Sequence, residues 1–449
     1  LKSVVSFALA LSVAAAPLAH AAAPQVCADC VKANMEVLTG DALRGRSCGT
    51  EDENAAARFV ADKLKSYGVK GAAPGGELLQ RVDFRLPTYA AKPTFAAGQA
   101  SFVQGDGIVI LTPAPQASGE VMVLGVTADP ALAAGKVVVL DAAYDPRITG
   151  PMFRAGAVAV VAPAPGGIAA AWGELASRPP PGVDIVGAQA ETSSLRTVVF
   201  ARPEAYAAIR AAAGQVATIT APRGEAVTKT TYNILGVIHG TARDADKHAI
   251  LLSAHYDHVG VRDGKIYRGA NDDASGTAAV LELARVLAKG KAPKRSAQFA
   301  LFGCEEAGGH GATYFLAHPP LPLGGIAANL EFEMIGLPDP QRPKTLMLTG
   351  WERSNLGPTL KAQGADIGPD LYPEQNFFQR SDNYQLALKG VVAQTVSAWP
   401  TPPTYHDATD DLAHIDLPFM TGVIQSMVKP VQWLLNSDFR PEWNPGMKP

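Results

Sequence analysis

The chain has 449 residues, 47% of them hydrophobic and 18% charged, with 39 Lys+Arg against 42 Asp+Glu for a formal net charge of -3. That near balance excludes the strongly basic surface of a nucleic-acid-wrapping protein, and the length exceeds a usual single domain of ~100–200 residues. The apolar content can bury a large core, so two or more packed units are expected.

The first stretch, LKSVVSFALALSVAAAPLAHA, carries an early Lys2, an apolar run from Val4 to Ala16 and an A-x-A arrangement at Ala19 and Ala21. It reads as a secretory signal peptide over 1–21, because the run is shorter than the ~20 apolar residues of a spanning helix and Pro17 interrupts it. No later stretch reads as a membrane helix, so an exported protein, secreted or periplasmic, without a membrane anchor is expected. An oxidising compartment permits disulfides among Cys27, Cys30 and Cys48, close together in sequence, while Cys304 reads as a buried, inert thiol. Val26 ahead of Cys27 argues against lipidation.

Residues 54–67 place Ala57, Phe59, Val60, Leu64 and Tyr67 at helical spacing, with Gly68 as a stop. From 93 to 227 the pattern shifts to short strands such as GIVIL, VMVLGV, KVVVL and AVAVVA, which read as a β-rich insert separating residues 22–92 from a main domain over 228–449. In that last part, strand and helix alternate: HAILLSAHYD, SGTAAVLELARVLAKG, SAQFALFGCEE, IAANLEFEMIG and GVVAQTV. Such alternation predicts an α/β fold with a mixed, mostly parallel sheet flanked by helices.

Ligands of an open α/β sheet gather beyond the carboxyl ends of its strands. Here those ends carry His255-Tyr256-Asp257-His258, the loop Gly269–Gly276 containing Asn271-Asp272-Asp273, Glu305-Glu306, Glu331-Phe332-Glu333 and Tyr405-His406. Imidazoles and carboxylates converging on one edge are a zinc ligand set. Two cations about 3.5–4 Å apart need a bridging carboxylate, for which Asp272 is suited, with His255 and Glu333 completing one site and His406 and Glu306 the other. Consecutive residues at a strand end diverge, so Glu305 faces the water as general base while Glu306 ligates. Asp257, two residues after His255, suits the ring N–H that the metal does not use. Glu331 shares the strand face of Glu333 and competes for its role. The Asn271–Gly276 loop also fits a helix N-cap. His258, His310, His318 and His414 read as surface or loop histidines.

These motifs, in this order and approximate spacing, resemble the M28 family of zinc peptidases, and Gly45-Arg46-Ser47-Cys48-Gly49-Thr50 resembles that family's entry motif. The resemblance implies a zinc exopeptidase fold, two Zn2+ per chain and cleavage of N-terminal residues from a peptide substrate. The ligands would be His255, Asp272, Glu306, Glu333 and His406, the base Glu305, and Tyr405 a donor to the developing oxyanion. The block at 93–227 resembles a protease-associated insert. Two positions depart from the family: Glu333 stands where Asp is usual, and Ser381-Asp382-Asn383 where Ser-Asp-His is common. A carboxypeptidase or a glutaminyl cyclase-like enzyme on the same scaffold is the alternative; neither side-chain preference nor oligomeric state follows from the sequence.

Overall fold

In a computed structural model, residues 25–188 and 196–449 are described. The expected signal segment lies outside them. No described helix is long and apolar enough to cross a membrane.

The apolar runs of the C-terminal half become the centre of a ten-stranded sheet. Its spatial order is Ile367–Pro369, Leu346–Leu348, Val392–Ser397, Ile326–Phe332, Ala249–His255, Ala297–Phe302, Val227–Ile238, Leu79–Leu86 and Asp184–Ile185, with Lys70–Gly71 also pairing with Val227–Ile238. The four strands Val392–Ser397, Ile326–Phe332, Ala249–His255 and Ala297–Phe302 run parallel. Val227–Ile238 pairs antiparallel on both sides, so the sheet is mixed as expected. Every residue of Ala249–His255 and Ala297–Phe302 is buried, which is why these strands are continuous apolar runs instead of alternating ones.

Helices Ala28–Leu38, Glu51–Ser66, Ser275–Lys289 and Leu417–Asn436 cover one face through a core that includes Val60, Leu64, Val280, Leu283, Met427 and Val431. Helices His310–Ala317 and Asp382–Leu388 cover the other through Phe315 and Leu386, packed on Phe302. The helix expected over 54–67 starts earlier, at Glu51, because the Thr50 hydroxyl accepts the Glu53 N–H and caps it.

An eight-stranded sheet forms between Thr94 and Thr220. Its order is Ala100–Val103, Thr94–Ala97, Val216–Thr220, Gln116–Leu124, Lys136–Leu140, Ala159–Pro163, Thr197–Ala201 and Ile108–Leu111. It has its own core around Val137, Val161, Val199 and Ile219. One short strand from the same stretch, Asp184–Ile185, leaves it to pair with Leu79–Leu86 of the larger sheet.

The cysteines depart from expectation. Cys27 and Cys30 form one bridge, as proximity allows, but Cys48 is joined to Cys304 across 256 positions. Cys304 is therefore no free thiol: the fold lays the loop after Arg46 against the end of Ala297–Phe302, a contact that sequence distance conceals.

Candidate metal centre

The ends of three parallel strands deliver the candidate side chains to one place. His255 is the last residue of Ala249–His255, Glu305 and Glu306 follow Ala297–Phe302, and Glu333 follows Ile326–Phe332. Non-glycine residues with positive φ sit at or beside these positions: Cys304 at 59°, Met334 at 54° and His406 at 51°. Each turns the chain sharply, and such strained backbone is held only where surrounding packing enforces it.

Two clusters result, sharing Asp272: His255, Asp272 and Glu333 in one, His258, Asp272 and Glu306 in the other. Asp272 offers Oδ1 to His255 Nε2 at 3.2 Å and Oδ2 to His406 Nε2 at 3.1 Å. Glu333 Oε1 is 3.9 Å from His255 Nε2, and Glu306 Oε1 lies 3.0 Å from His406 Nε2 and 2.8 Å from His258 Nδ1. Despite these separations, both ring nitrogens of His255 and of His258, and Glu306 Oε1, are buried with no aligned hydrogen-bond partner. Buried polar atoms left unpaired are rare. Atoms that aim at a common point instead of at each other are satisfied together by a cation there, and two imidazole-carboxylate sets with a shared carboxylate fit a pair of divalent ions.

All five expected ligand residues are thus brought together. His258, read as a surface or loop histidine, is instead 1% exposed and faces Glu306. His310 is likewise buried, edge-on to Phe84, whereas His318 and His414 are exposed. Glu331 belongs to neither cluster and accepts the Asn383 N–H. Asp257 faces His255 Nδ1 at 3.6 Å, too far for a hydrogen bond, and accepts the backbone N–H groups of Glu305 at 2.9 Å and Glu306 at 3.3 Å. It thereby sets the position of both glutamates.

Backbone clamps fix the rest. Asp273 Oδ1 accepts from Gly276 N and Met334 N, Ser275 Oγ from Ile335 N and Asn271 Oδ1 from Gly336 N. The loop thus caps its own helix and holds the Glu333 strand end as well. Asp410 accepts from Asn271 N at 2.8 Å and Asp272 N at 3.1 Å, tying the segment after His406 to the shared carboxylate. Beneath the site the fully buried Arg46 donates to the carbonyls of Tyr256, Arg268, Gly269 and Leu38. One guanidinium therefore joins the His255 loop to the loop that carries Asp272. Nothing in residue type signals Asp410 or the donors' partners; only the fold reveals them.

Burial pushes the Glu305 carboxyl well above the usual range, with Asp382 and Glu333 adding to the shift against the pull of His255. Burial likewise raises Glu333 to about 7. Burial and Asp272 oppose ionisation of Glu306, yet His258 and His406 hold it below the usual value. For His406 burial alone would lower the pKa, but Asp272 and Glu306 outweigh it and bring it to about 9. Tyr405, stacked on the His406 ring at 4.0 Å, is pushed up to about 12 by burial and Asp272, so its hydroxyl keeps its proton. A pocket beside the clusters is lined by Glu333, Met334, Met347, Phe377, Arg380 and Tyr405.

Residues 233–429 match Peptidase family M28. An aminopeptidase of Pseudomonas aeruginosa strain UCBPP-PA14 is 39% identical over 110 residues, 24% of this chain and 19% of that protein. The probable lipoprotein aminopeptidase LpqL of Mycobacterium tuberculosis is 28% identical over 223 residues, 41% of this chain and 42% of the relative. The matched stretches thus span less than half of these relatives. The fold is similar along nearly the whole chain to an aminopeptidase from Aneurinibacillus sp. strain AM-1, with TM-score 0.59 at 21% identity over 95% of this chain and 97% of the other. A zinc aminopeptidase from Bacillus subtilis gives TM-score 0.55 at 18% identity, over 92% and 97%. The stretch over residues 233–429, which carries the clustered histidines and carboxylates, is thus similar to peptidase family M28.

Proposed function

We propose that the protein is an exported, zinc-dependent aminopeptidase that removes N-terminal residues from peptides. The observation that carries this reading is the pair of buried imidazole-carboxylate clusters joined through Asp272, with unpartnered ligand atoms aimed inward. His255, Asp272 and Glu333 would hold one zinc, and Asp272, Glu306 and His406 the other. The relatives named aminopeptidases support the substrate class, and the zinc aminopeptidase of similar fold supports the metal. The eight-stranded sheet between Thr94 and Thr220 is read as a protease-associated insert.

A bound zinc pair would polarise the scissile carbonyl and make a water acidic enough to attack near neutral pH. Glu305, held by Asp257 through its backbone N–H, takes the proton of that water and returns it to the leaving amine. The Tyr405 hydroxyl, protonated throughout the neutral range, donates to the oxyanion as charge develops there.

Glu305→Gln keeps the shape of the side chain and removes its basicity. Turnover of an aminoacyl reporter should fall by about 10²–10⁴-fold with zinc content, measured by elemental analysis, intact. Undiminished turnover would remove Glu305 from the mechanism. Comparing peptides with free and blocked N-termini separates this reading from a carboxypeptidase.

A further inference from the structure

The pocket beside the clusters is apolar on one side, through Met334, Met347 and Phe377, but not throughout. Arg380 is its only Lys or Arg, exposed at the pocket mouth, with its guanidinium 4.9 Å from the Phe377 ring centre and 5.8 Å from that of Tyr405. One of its nitrogens donates to the Tyr405 hydroxyl at 3.2 Å. Among the described residues its guanidinium has no other hydrogen-bond acceptor and no carboxylate partner, although Arg presents five donors in a rigid fork. Further in, Thr395 is 2% exposed and its hydroxyl has no partner, while the neighbouring Thr349 hydroxyl oxygen accepts the Thr395 N–H. The buried Thr395 hydroxyl is costly to leave without a partner, and the exposed Arg380 guanidinium on the same pocket keeps most of its donors free for a ligand.

We propose that Arg380 and Thr395 form a carboxylate subsite, so that the preferred substrates carry a carboxylate on a residue flanking the scissile bond. The planar guanidinium, fixed by its two aromatic neighbours, receives that group in two parallel N–H···O bonds, and the Thr395 hydroxyl supplies a third donor deeper in the pocket. The zinc ligand Glu333 on the same wall does not repel the group, because its charge is matched by the cation it is read as binding. The carboxylate has two sources: the side chain of an N-terminal Asp or Glu, or the free C-terminus of a dipeptide. This rests on the aminopeptidase reading, and its test is separable from it.

The test compares kcat/KM for three substrates on zinc-loaded enzyme: Ala-Ala amide, Glu-Ala amide and Ala-Ala with a free C-terminus. The carboxylate-bearing peptide that fits should exceed Ala-Ala amide by at least about tenfold, as expected for charge-assisted hydrogen bonds. In Arg380→Gln that ratio should collapse by about 10–100-fold, mainly through KM, with Arg380→Lys recovering part of it. Which of the two carboxylate peptides gains identifies the source. Taking the ratio within each variant cancels any loss that reaches all substrates through Tyr405. Equal kcat/KM for all three in the native enzyme, or an equal fall for all three in Arg380→Gln, overturns the subsite; cleavage of Ala-Ala amide in those cases leaves the peptidase reading standing. Should no peptide be cleaved, calorimetric binding of free glutamate, weakened at least tenfold in Arg380→Gln, reads the subsite without turnover, and undiminished binding overturns it.

Discussion

Asp272 gives one oxygen to each cluster, and on the second cluster two imidazoles compete for the same place. His406 Nε2 lies about 3 Å from both Asp272 and Glu306, whereas His258 Nδ1 is 2.8 Å from Glu306 and 4.0 Å from Asp272. His406 is the better placed to share an ion with both carboxylates, and His258 to orient Glu306. His406→Ala should therefore retain about one zinc per chain, the number being one removed from the pair expected of a bridged site. His258→Ala should keep both but bind the second more weakly, by about 10–100-fold, as loss of a supporting partner does. Zinc titration read by mass spectrometry distinguishes them, and loss of an ion in His258→Ala with none lost in His406→Ala would exchange their roles. His255, Glu306 and Glu333 could be placed at one sheet edge because each ends or follows an apolar run, whereas Asp272 and His406 sit in the loops beyond. His258 escaped that logic: it directly follows Asp257, beyond the end of the strand, where no alternation rule predicts whether the chain turns inward.

The loop and helix around Asn271–Lys289 pack closely against the strand end that carries Glu333. Gly276 begins the helix against the end of the Ile326–Phe332 strand, and a Cβ there would lie 2.0 Å from the Phe332 carbonyl oxygen and 2.5 Å from Asp273. The first of these neighbours is backbone and cannot swing aside. Gly276→Ala should push the helix from the strand end, cost about 1–3 kcal/mol as overpacking does, and lower zinc affinity because Asp272 and Glu333 lie on the two parts forced apart. Thermal melts and zinc titration of the variant check both, and an unchanged Tm with native zinc affinity would show that the contact relaxes freely. The helix and the buried strands were legible from apolar runs and spacing. The clamps across them were not, since Asn271, Asp273 and Ser275 each fit an ordinary N-cap and their bonds to residues 334–336 arise only when the strands are adjacent.

The site gathers an excess of buried carboxyl groups. Burial raises Asp273, Glu305 and Glu331 well above ordinary carboxyl values, Glu333 to about 7 and Asp382 to about 8. Groups whose pKa is raised by folding contribute stability that is present below their unfolded pKa and is lost as pH climbs through the folded value. The raised ring of His406, at about 9, acts in the same sense. Asp272 and Glu306 are shifted downward, so their contribution is lost only on acidification below the ordinary carboxylate range. The metal-stripped protein should therefore lose Tm steadily from about pH 5 to pH 9, and added zinc should restore most of that loss at the alkaline end. Melting curves across that range with and without chelator measure it; a chelated protein whose Tm is flat would mean these charges are compensated by another route.

The larger sheet's parallel alternation could be read from the chain, and so could the β-rich character of the stretch after residue 93. The sulfur link between Cys48 and Cys304 could not, and it has a topological effect. All of the eight-stranded unit lies inside the ring of chain that it closes. A protease that nicks the polypeptide once anywhere between Thr94 and Thr220 leaves two fragments fastened to one another. On a gel without reductant the nicked protein should keep the mobility of one molecule, and with dithiothreitol it should separate into two bands whose masses sum to the whole; separation without reductant would show that the ring is open. Damage to the smaller unit is in this way kept from releasing the N-terminal fragment that carries Arg46, whose guanidinium joins the loops of His255 and Asp272 from below.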